Sequence, residues 1–397
     1  MDPNGKSVGI CGATGAVGLE ILSTLIARKF PLKQITLFAS SRSTGKTVPT
    51  SLGDLLVEEF SKEKALTLDF VFLAVSGDFS LQYAKELANN SPNGPYVIDN
   101  SSAFRYDPEI PLIVPEVNGE KLLTQYSSSR LIANPNCTTA IAVMALWPLH
   151  CDFGIKKMII STYQAASGAG VEGMQELKDG TAAYLDGITL EAKVFAYPLA
   201  FNLIPQIDKF QSNGYTKEEM KVTWETRKIF DEPKMAITCT AVRVPIMRAH
   251  SEAITIETAR KITPESARVV LEKAQGVLVV DVPNRLQYPM PINASSKNNV
   301  QVGRIRQSLV FGENGLELFV SGDQLLRGAA LNAVLIAEFL EHPHTEPQCI
   351  KKTSGNTCPF LDLYKMKWSS RRSQVFHIAA FVGGIASICL FIARRRS

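Results

Sequence analysis

The sequence predicts an α/β protein: a Rossmann-type, doubly wound parallel sheet followed by a mixed α+β domain. Three observations predict it. Short β-branched runs alternate with helical patterns through the first 150 residues. A glycine-rich turn, GATGAVG, follows the first run and opens a helix. From about Lys157 the runs lengthen into long strands, a change of style that marks a second domain. The 397 residues suffice for two domains of ordinary size without disulfide or metal staples.

In the first domain Ser7–Cys11 (SVGIC) reads as a strand, Val17–Arg28 as a helix, Gln34–Ala39 as a strand and Phe70–Val75 as a buried strand. Tyr83–Ala88 has helical periodicity, and Tyr96–Asp99 (YVID) supplies the next strand. Beyond Lys157, KMIISTYQA, AITCTAVRVPI and EAITIETAR are long strands, interleaved with helices over Thr216–Phe230 and Thr263–Ala274. The Ala-rich stretch Leu325–His342 reads as a helix able to pack back on the first domain.

With 45% hydrophobic and 20% charged residues the chain is globular, and collagen-like or disordered classes are excluded. A net charge of +4, with no basic stripe before the last thirty residues, argues against nucleic acid and for a small-molecule partner. Seven cysteines without a C-x-x-C pair fit a reducing compartment and no metal site. The residues before the first strand lack a charged region followed by an apolar one, so no signal peptide is expected there. Ser373–Ala393 carries no Asp, Glu, Lys or Arg and lies between Arg371, Arg372 and Arg394, Arg395, Arg396. That length and those flanks predict a transmembrane helix over 373–393 after a linker over 343–372. The remainder would then face the cytosol from a membrane, or be cytoplasmic if the segment does not insert.

In GATGAVG, Gly12, Gly15 and Gly18 permit a tight turn, and the backbone of Gly12, Ala13, Thr14, Gly15, Ala16 and Val17 can approach a pyrophosphate at the helix N-terminus. After the second strand stands FASSRSTGK, with Ser40, Ser41 and Arg42 where an NAD site usually has an acidic residue. An arginine attracts the 2′-phosphate that a carboxylate would repel, so the cofactor predicted is NADP. ANPNCTTA places Cys137 at a helix start, where the helix dipole lowers a thiol pKa and free N–H groups can hold an oxyanion. A nicotinamide cofactor with a cysteine nucleophile suits aldehyde oxidation through a thioester, or the reverse reduction of an acyl phosphate.

GATGAVG, ASSRSTGK, DNSSAFRYDPEIPLIVPEVN, ANPNCTTA, STYQAASGAG, EEMK, RVPIMRAHSEA, VGRIRQ and GDQLLRGAALNAV, in this order, resemble the aspartate-β-semialdehyde dehydrogenase family over roughly Lys6 to Glu341. The resemblance implies Cys137 as nucleophile, Gln164 orienting substrate at the thiol and His250 as general acid/base. It implies Arg243 for the substrate α-carboxylate, Glu218 for its ammonium, Arg105 and Lys221 for phosphate, and Asn136 lining the same pocket. Gly168 and Asn332 would touch the cofactor. Arg105, Lys221 and Arg243 together would favour a thiolate at Cys137.

The expected reaction is NADPH-dependent reduction of L-4-aspartyl phosphate to L-aspartate 4-semialdehyde and phosphate, a step toward lysine, threonine and methionine. The expected organisation is a Rossmann domain over 1–137 completed by the 325–342 helix, a substrate and dimerisation domain over 138–324, and a homodimer. Two other readings stay open: an N-acetyl-glutamyl-phosphate reductase using the same chemistry, and a membrane-tethered, non-catalytic NADP-binding scaffold.

Overall fold

Four consecutive residues without polar side chains except a thiol, Val8–Cys11, are buried on both faces, which suits the central strand of a parallel sheet. In the computed structural model, which describes residues 2–89, 94–188 and 191–342, this is β1 (Lys6–Cys11). Helix α1 (Ala16–Ala27) crosses to β2 (Leu32–Ala39), parallel to β1. An antiparallel hairpin, β3 (Thr47–Thr50) with β4 (Gly53–Glu59), extends that edge. After α2 (Lys62–Ala65) the chain returns to the other side of β1 as β5 (Phe70–Leu73), and then runs through α3 (Gly77–Asn89), β6 (Tyr96–Asp99), α4 (Pro115–Asn118) and β7 (Leu131–Ala133). The order is β3-β4-β2-β1-β5-β6-β7, so winding reverses beside β1, where open α/β sheets bind ligands.

Helix α5 (Cys137–Phe153) leads into the second sheet, and every residue from Thr138 to Leu149 is buried. A helix apolar on all sides belongs inside a core. It stops at Gly154, whose φ of +69° suits a residue without Cβ. There follow β8 (Ile155–Gln164), α6 (Gly170–Leu185), α7 (Lys217–Phe230), β9 (Ala236–Arg243), β10 (His250–Thr258), α8 (Pro264–Glu272), β11 (Val277–Val279), α9 (Pro291–Ala294), β12 (Val300–Gln307) and β13 (Gly315–Gly322). The strand order β11-β12-β13-β10-β8-β9 mixes parallel pairs at both edges with antiparallel pairs between. Met158, Ile160, Ile254, Ile256 and Leu318 form one core with α5, while Ile159 and Tyr163 on the opposite face of β8 are exposed.

Thr216 and Thr263, expected as the first residues of two helices, are instead their N-caps, each within a capping box. The segment expected as one helix from Leu325 begins as a π-turn over Leu326–Ala330 and continues as α10 (Leu331–Glu341). Ala330, Ala333, Val334 and Ala337 share a core with Val8, Ile10, Ile21 and Leu25 of the first sheet. The expected linker over 343–372 and transmembrane helix over 373–393 lie outside the described residues. Among the described residues no helix is long and apolar enough to cross a membrane.

Candidate active site

Gly12 has φ +81°, and a Cβ there would lie 2.2 Å from the Ala74 carbonyl oxygen; a Cβ on Gly18 would lie 2.2 Å from the Gly12 oxygen. Only glycine fits either place, and the backbone turn they make is an open cradle at the C-terminal end of β1. Gly15 is the N-cap of α1 without a side-chain cap, so the first-turn N–H groups, including those of Ala16 and Val17, face that cradle. Ala13 is anchored through its N–H to the Phe38 carbonyl at the end of β2, and Thr14 is half-buried beside it. Ser40, Ser41 and Arg42 follow β2 directly and are exposed. These residues fit a phosphorylated dinucleotide.

The end of β7 delivers Asn134, Pro135 and Asn136 to the start of α5. Asn136 caps that helix: its Oδ1 accepts from the Thr138 and Thr139 N–H groups at 3.0 and 3.2 Å. Cys137, half-buried, is thereby held as the first helical residue, 4.0 Å from the Thr138 hydroxyl. Gln164, at the end of β8, donates to the Thr138 hydroxyl at 2.5 Å and to Glu218 Oε1 at 3.4 Å. Glu218 Oε1 also accepts from Asn136 Nδ2 at 2.9 Å, and its Oε2 pairs with Lys221 at 3.0 Å. Cys137, Asn136, Gln164, Glu218, Lys221, Arg105, Arg243 and Gly168 all line one cavity of about 300 Å³, with Val17 of the glycine-rich turn on its rim.

The three cations do not produce a thiolate in this state, contrary to the expectation from their types. Burial first, and then the Glu218 carboxylate, push the Cys137 thiol up to about 11; the Thr138 contact, Arg105 and Lys221 pull weakly the other way. The physical reason is that each cation is already engaged. Arg105 pairs with Glu225 at 3.2 Å. Lys221 pairs with Glu218 and with Asp208 at 2.8 Å. Arg243 Nη1 donates to the Ala165 carbonyl at 2.6 Å, and its guanidinium lies over the Phe195 ring.

His250 opens β10 and is fully buried behind the cavity wall. Its Nδ1 accepts the Ala165 N–H at 3.1 Å, so the neutral ring carries its proton on Nε2, which has no partner among the described residues. Burial and the adjacent Arg243 hold its pKa well below the ordinary histidine value. A Cβ on Gly168 would come within 2.7 Å of Arg243 Nη1 and 3.2 Å of His250 Nε2, so the glycine keeps open the space between them. Asn332 sits fully buried behind Asn134, donating to its Oδ1 at 2.6 Å and to the Ile113 carbonyl at 2.9 Å. It is not among the residues lining the cavity.

Sequence reasoning missed Glu225, Lys228, Asp208 and Asn134. For two of them a signal existed: Glu218, Lys221, Glu225 and Lys228 follow one another at helical spacing on the face of α7 that meets the site. Asp208 and Asn134 lie outside regular elements; Asn134 falls within ANPNCTTA, whose motif pointed to Asn136 and Cys137 but not to it, and nothing in the local pattern marked Asp208.

Family models described as "Semialdehyde dehydrogenase, NAD binding domain" and "Semialdehyde dehydrogenase, dimerisation domain" match residues 7–125 and 146–327. Aspartate-semialdehyde dehydrogenase of Aquifex aeolicus is 44% identical over 338 residues, covering 85% of this chain and 98% of the relative. The Bacillus subtilis enzyme of that name is 44% identical over 345 residues, with the same coverage. Aspartate semialdehyde dehydrogenase II of Vibrio cholerae, solved in complex with ASA, superposes with a TM-score of 0.81 at 39% identity, over 86% of this chain and all of the other. The Candida albicans enzyme solved with NADP gives 0.66 at 26% identity, over 85% and 99%.

Proposed function

The chain belongs to the aspartate-semialdehyde dehydrogenase family, and on that premise we propose which residues carry the reaction. It is an NADP-dependent oxidoreductase of amino-acid biosynthesis that interconverts L-4-aspartyl phosphate and L-aspartate 4-semialdehyde. Bound NADP supplies or accepts the hydride. The convergence of Cys137 with one carboxylate, Glu218, three cations, Arg105, Lys221 and Arg243, and Val17 of the uncapped α1 turn on one cavity is the observation that supports the rest.

In the reductive direction Cys137 sulfur gives up its proton and attacks the acyl phosphate carbon, the carbon–oxygen bond breaks, phosphate leaves with the bonding pair and takes up the proton, and the acyl group stays on sulfur as a thioester. Developing negative charge on the carbonyl oxygen falls near the Cys137 N–H, since Asn136 Oδ1 already takes the Thr138 and Thr139 N–H groups of that turn. Arg105 and Lys221 receive the phosphate, Arg243 the α-carboxylate through a planar fork, and Glu218 the ammonium. Gln164 and Asn136 hold Glu218 in place while leaving the thiol open. His250, neutral with its proton on Nε2, is set to donate a hydrogen bond toward the reacting oxygen, and acts as a proton donor only when the ring is protonated. To serve as base in the oxidative direction the ring must take its other neutral tautomer, with the proton on Nδ1 and the Ala165 hydrogen bond given up, so that Nε2 presents a lone pair.

We assign cofactor binding to Gly12–Val17, Ser40, Ser41, Arg42, Gly168 and, through Asn134, Asn332. Residues 1–137 with 325–342 form the cofactor domain and 138–324 the substrate domain. The family's dimerisation segment spans the second sheet, whose face bearing Ile159 and Tyr163 is exposed, in keeping with a homodimer. Assaying phosphate-dependent NADP reduction with both semialdehydes tests the substrate: turnover with L-aspartate 4-semialdehyde supports it, and turnover only with the N-acetylglutamate analogue overturns it. An N-acetylated substrate would leave Glu218 without its ammonium. Residues 373–393 we propose as a membrane anchor; full-length protein found wholly in the detergent-free soluble fraction overturns that.

A further inference from the structure

We propose that Glu225 and Lys228 are positioning residues that aim Arg105 at phosphate and fix its spacing from Cys137. This rests on the reading of Arg105 as a phosphate ligand. Arg105 carries five N–H groups, and three are spent inside the protein. Nε donates to the Asn134 carbonyl at 2.8 Å, Nη2 to the Asn100 carbonyl at 2.8 Å, and Nη1 to Glu225 Oε1 at 3.2 Å. One N–H remains on each terminal nitrogen, which is the pair a phosphate takes in a two-point contact.

The other oxygen of the same carboxylate, Glu225 Oε2, accepts the Asn136 backbone N–H at 2.6 Å. One rigid group therefore holds the guanidinium and the residue before the nucleophile. Glu225 is fully buried, so neither contact is shared with bulk water.

One helical turn on, Lys228 Nζ donates to the carbonyls of Arg105, Asp107 and Ile110 at 2.9, 2.6 and 2.7 Å. Three N–H groups meet three carbonyls that belong to the segment carrying Arg105, so a single ammonium pins it. Helix α7 thus presents Glu218 and Lys221 to the reactants from one stretch of a face and braces Arg105 from the next.

The test measures phosphate-dependent NADP reduction in the full-length enzyme, with KM determined separately for phosphate, NADP and semialdehyde. Lys228→Met and Glu225→Gln are expected to raise the phosphate KM by about tenfold or more while the NADP KM stays within about twofold, since displacing a binding group by about 1 Å can cost two orders of magnitude. Lys228→Arg, which keeps a cation but cannot converge three donors on three carbonyls, should raise it by less. A merely structural role would lower kcat and the melting temperature with all three KM values unchanged, or raise all three KM values together, and either outcome overturns the proposal. Arg105→Lys separates the two readings. If it raises the phosphate KM and the α7 variants do not, the positioning role falls alone; if it leaves the phosphate KM unchanged, the phosphate role of Arg105 falls first.

Discussion

Glu218→Gln should make Cys137 more reactive and the enzyme less active. The Glu218 carboxylate reaches the nucleophile's neighbourhood through Asn136 Nδ2 at 2.9 Å and Gln164 Nε2 at 3.4 Å, and its charge raises the thiol that burial has already raised to about 11. At an effective dielectric of about 20, a unit charge several ångströms from a titrating group is worth on the order of 1–2 kcal/mol. Removing the charge therefore lowers the thiol from that raised value, while burial, the larger cause, remains. The sign is fixed: an anion beside a thiol disfavours the thiolate, so its removal shifts titration to lower pH. The variant also frees half of the pairing of Lys221, which acts in the same direction. At pH 8 the thiolate fraction rises by about tenfold or more, and alkylation of Cys137 by iodoacetamide should accelerate in proportion. Turnover should fall because the substrate ammonium loses its partner. The assay is the alkylation rate against pH, followed by mass mapping of the Cys137 peptide. Slower or unchanged alkylation in the variant would refute the electrostatic account of the site.

Three further outcomes follow from the packing. Arg327 and Glu116 form a two-point ion pair at 2.9 and 2.7 Å with both side chains 3% exposed, so Glu116→Gln or Arg327→Met should destabilise by about 3–5 kcal/mol in denaturant titration, and the double variant should recover part of that. A Cβ on Gly328 would lie 2.7 Å from the Cys137 Cβ and 3.0 Å from its Cα; Gly328→Ala should cut kcat by about 100-fold while NADPH binding, followed by fluorescence, survives. Glu252 is fully buried with neither carboxylate oxygen partnered among the described residues, and burial holds it well above the usual carboxylate range. A raised native pKa means stability is lost as pH climbs past the unfolded value, so the stability of Glu252→Gln relative to the parent should grow by ~1 kcal/mol per pH unit from about pH 5 up to the native pKa.

The buried strands of the first sheet were legible because runs such as Phe70–Leu73 are apolar on both faces and bounded by turn residues. The β3–β4 hairpin was not. It is an edge with Pro49 in one strand and Gly53 opening the other, and Val57 is its one fully buried residue. Helix α3 was expected only over Tyr83–Ala88 because its first turns carry Asp78 and Gln82 on solvent faces. Cys137 was legible from its place at a helix start, and Gln164, Glu218, Lys221 and Arg243 only through the resemblance of their motifs; the structure brings all five to one cavity. Their electrostatics were not legible. Whether Arg105 acts as a free cation or as half of an ion pair depends on Glu225, 120 residues away in sequence, and no local pattern reports such a pairing. The same holds for the tautomer of His250, which a backbone N–H from a different strand end selects.

The central claim is that the acyl group passes through Cys137. Mixing the full-length enzyme with L-aspartate 4-semialdehyde and NADP in the absence of phosphate isolates that step. The account predicts a burst of about one NADPH per active site, followed by near arrest, and an aspartyl adduct on the Cys137 peptide that phosphate discharges. Sustained turnover without phosphate, or a burst with no adduct at Cys137, would contradict it.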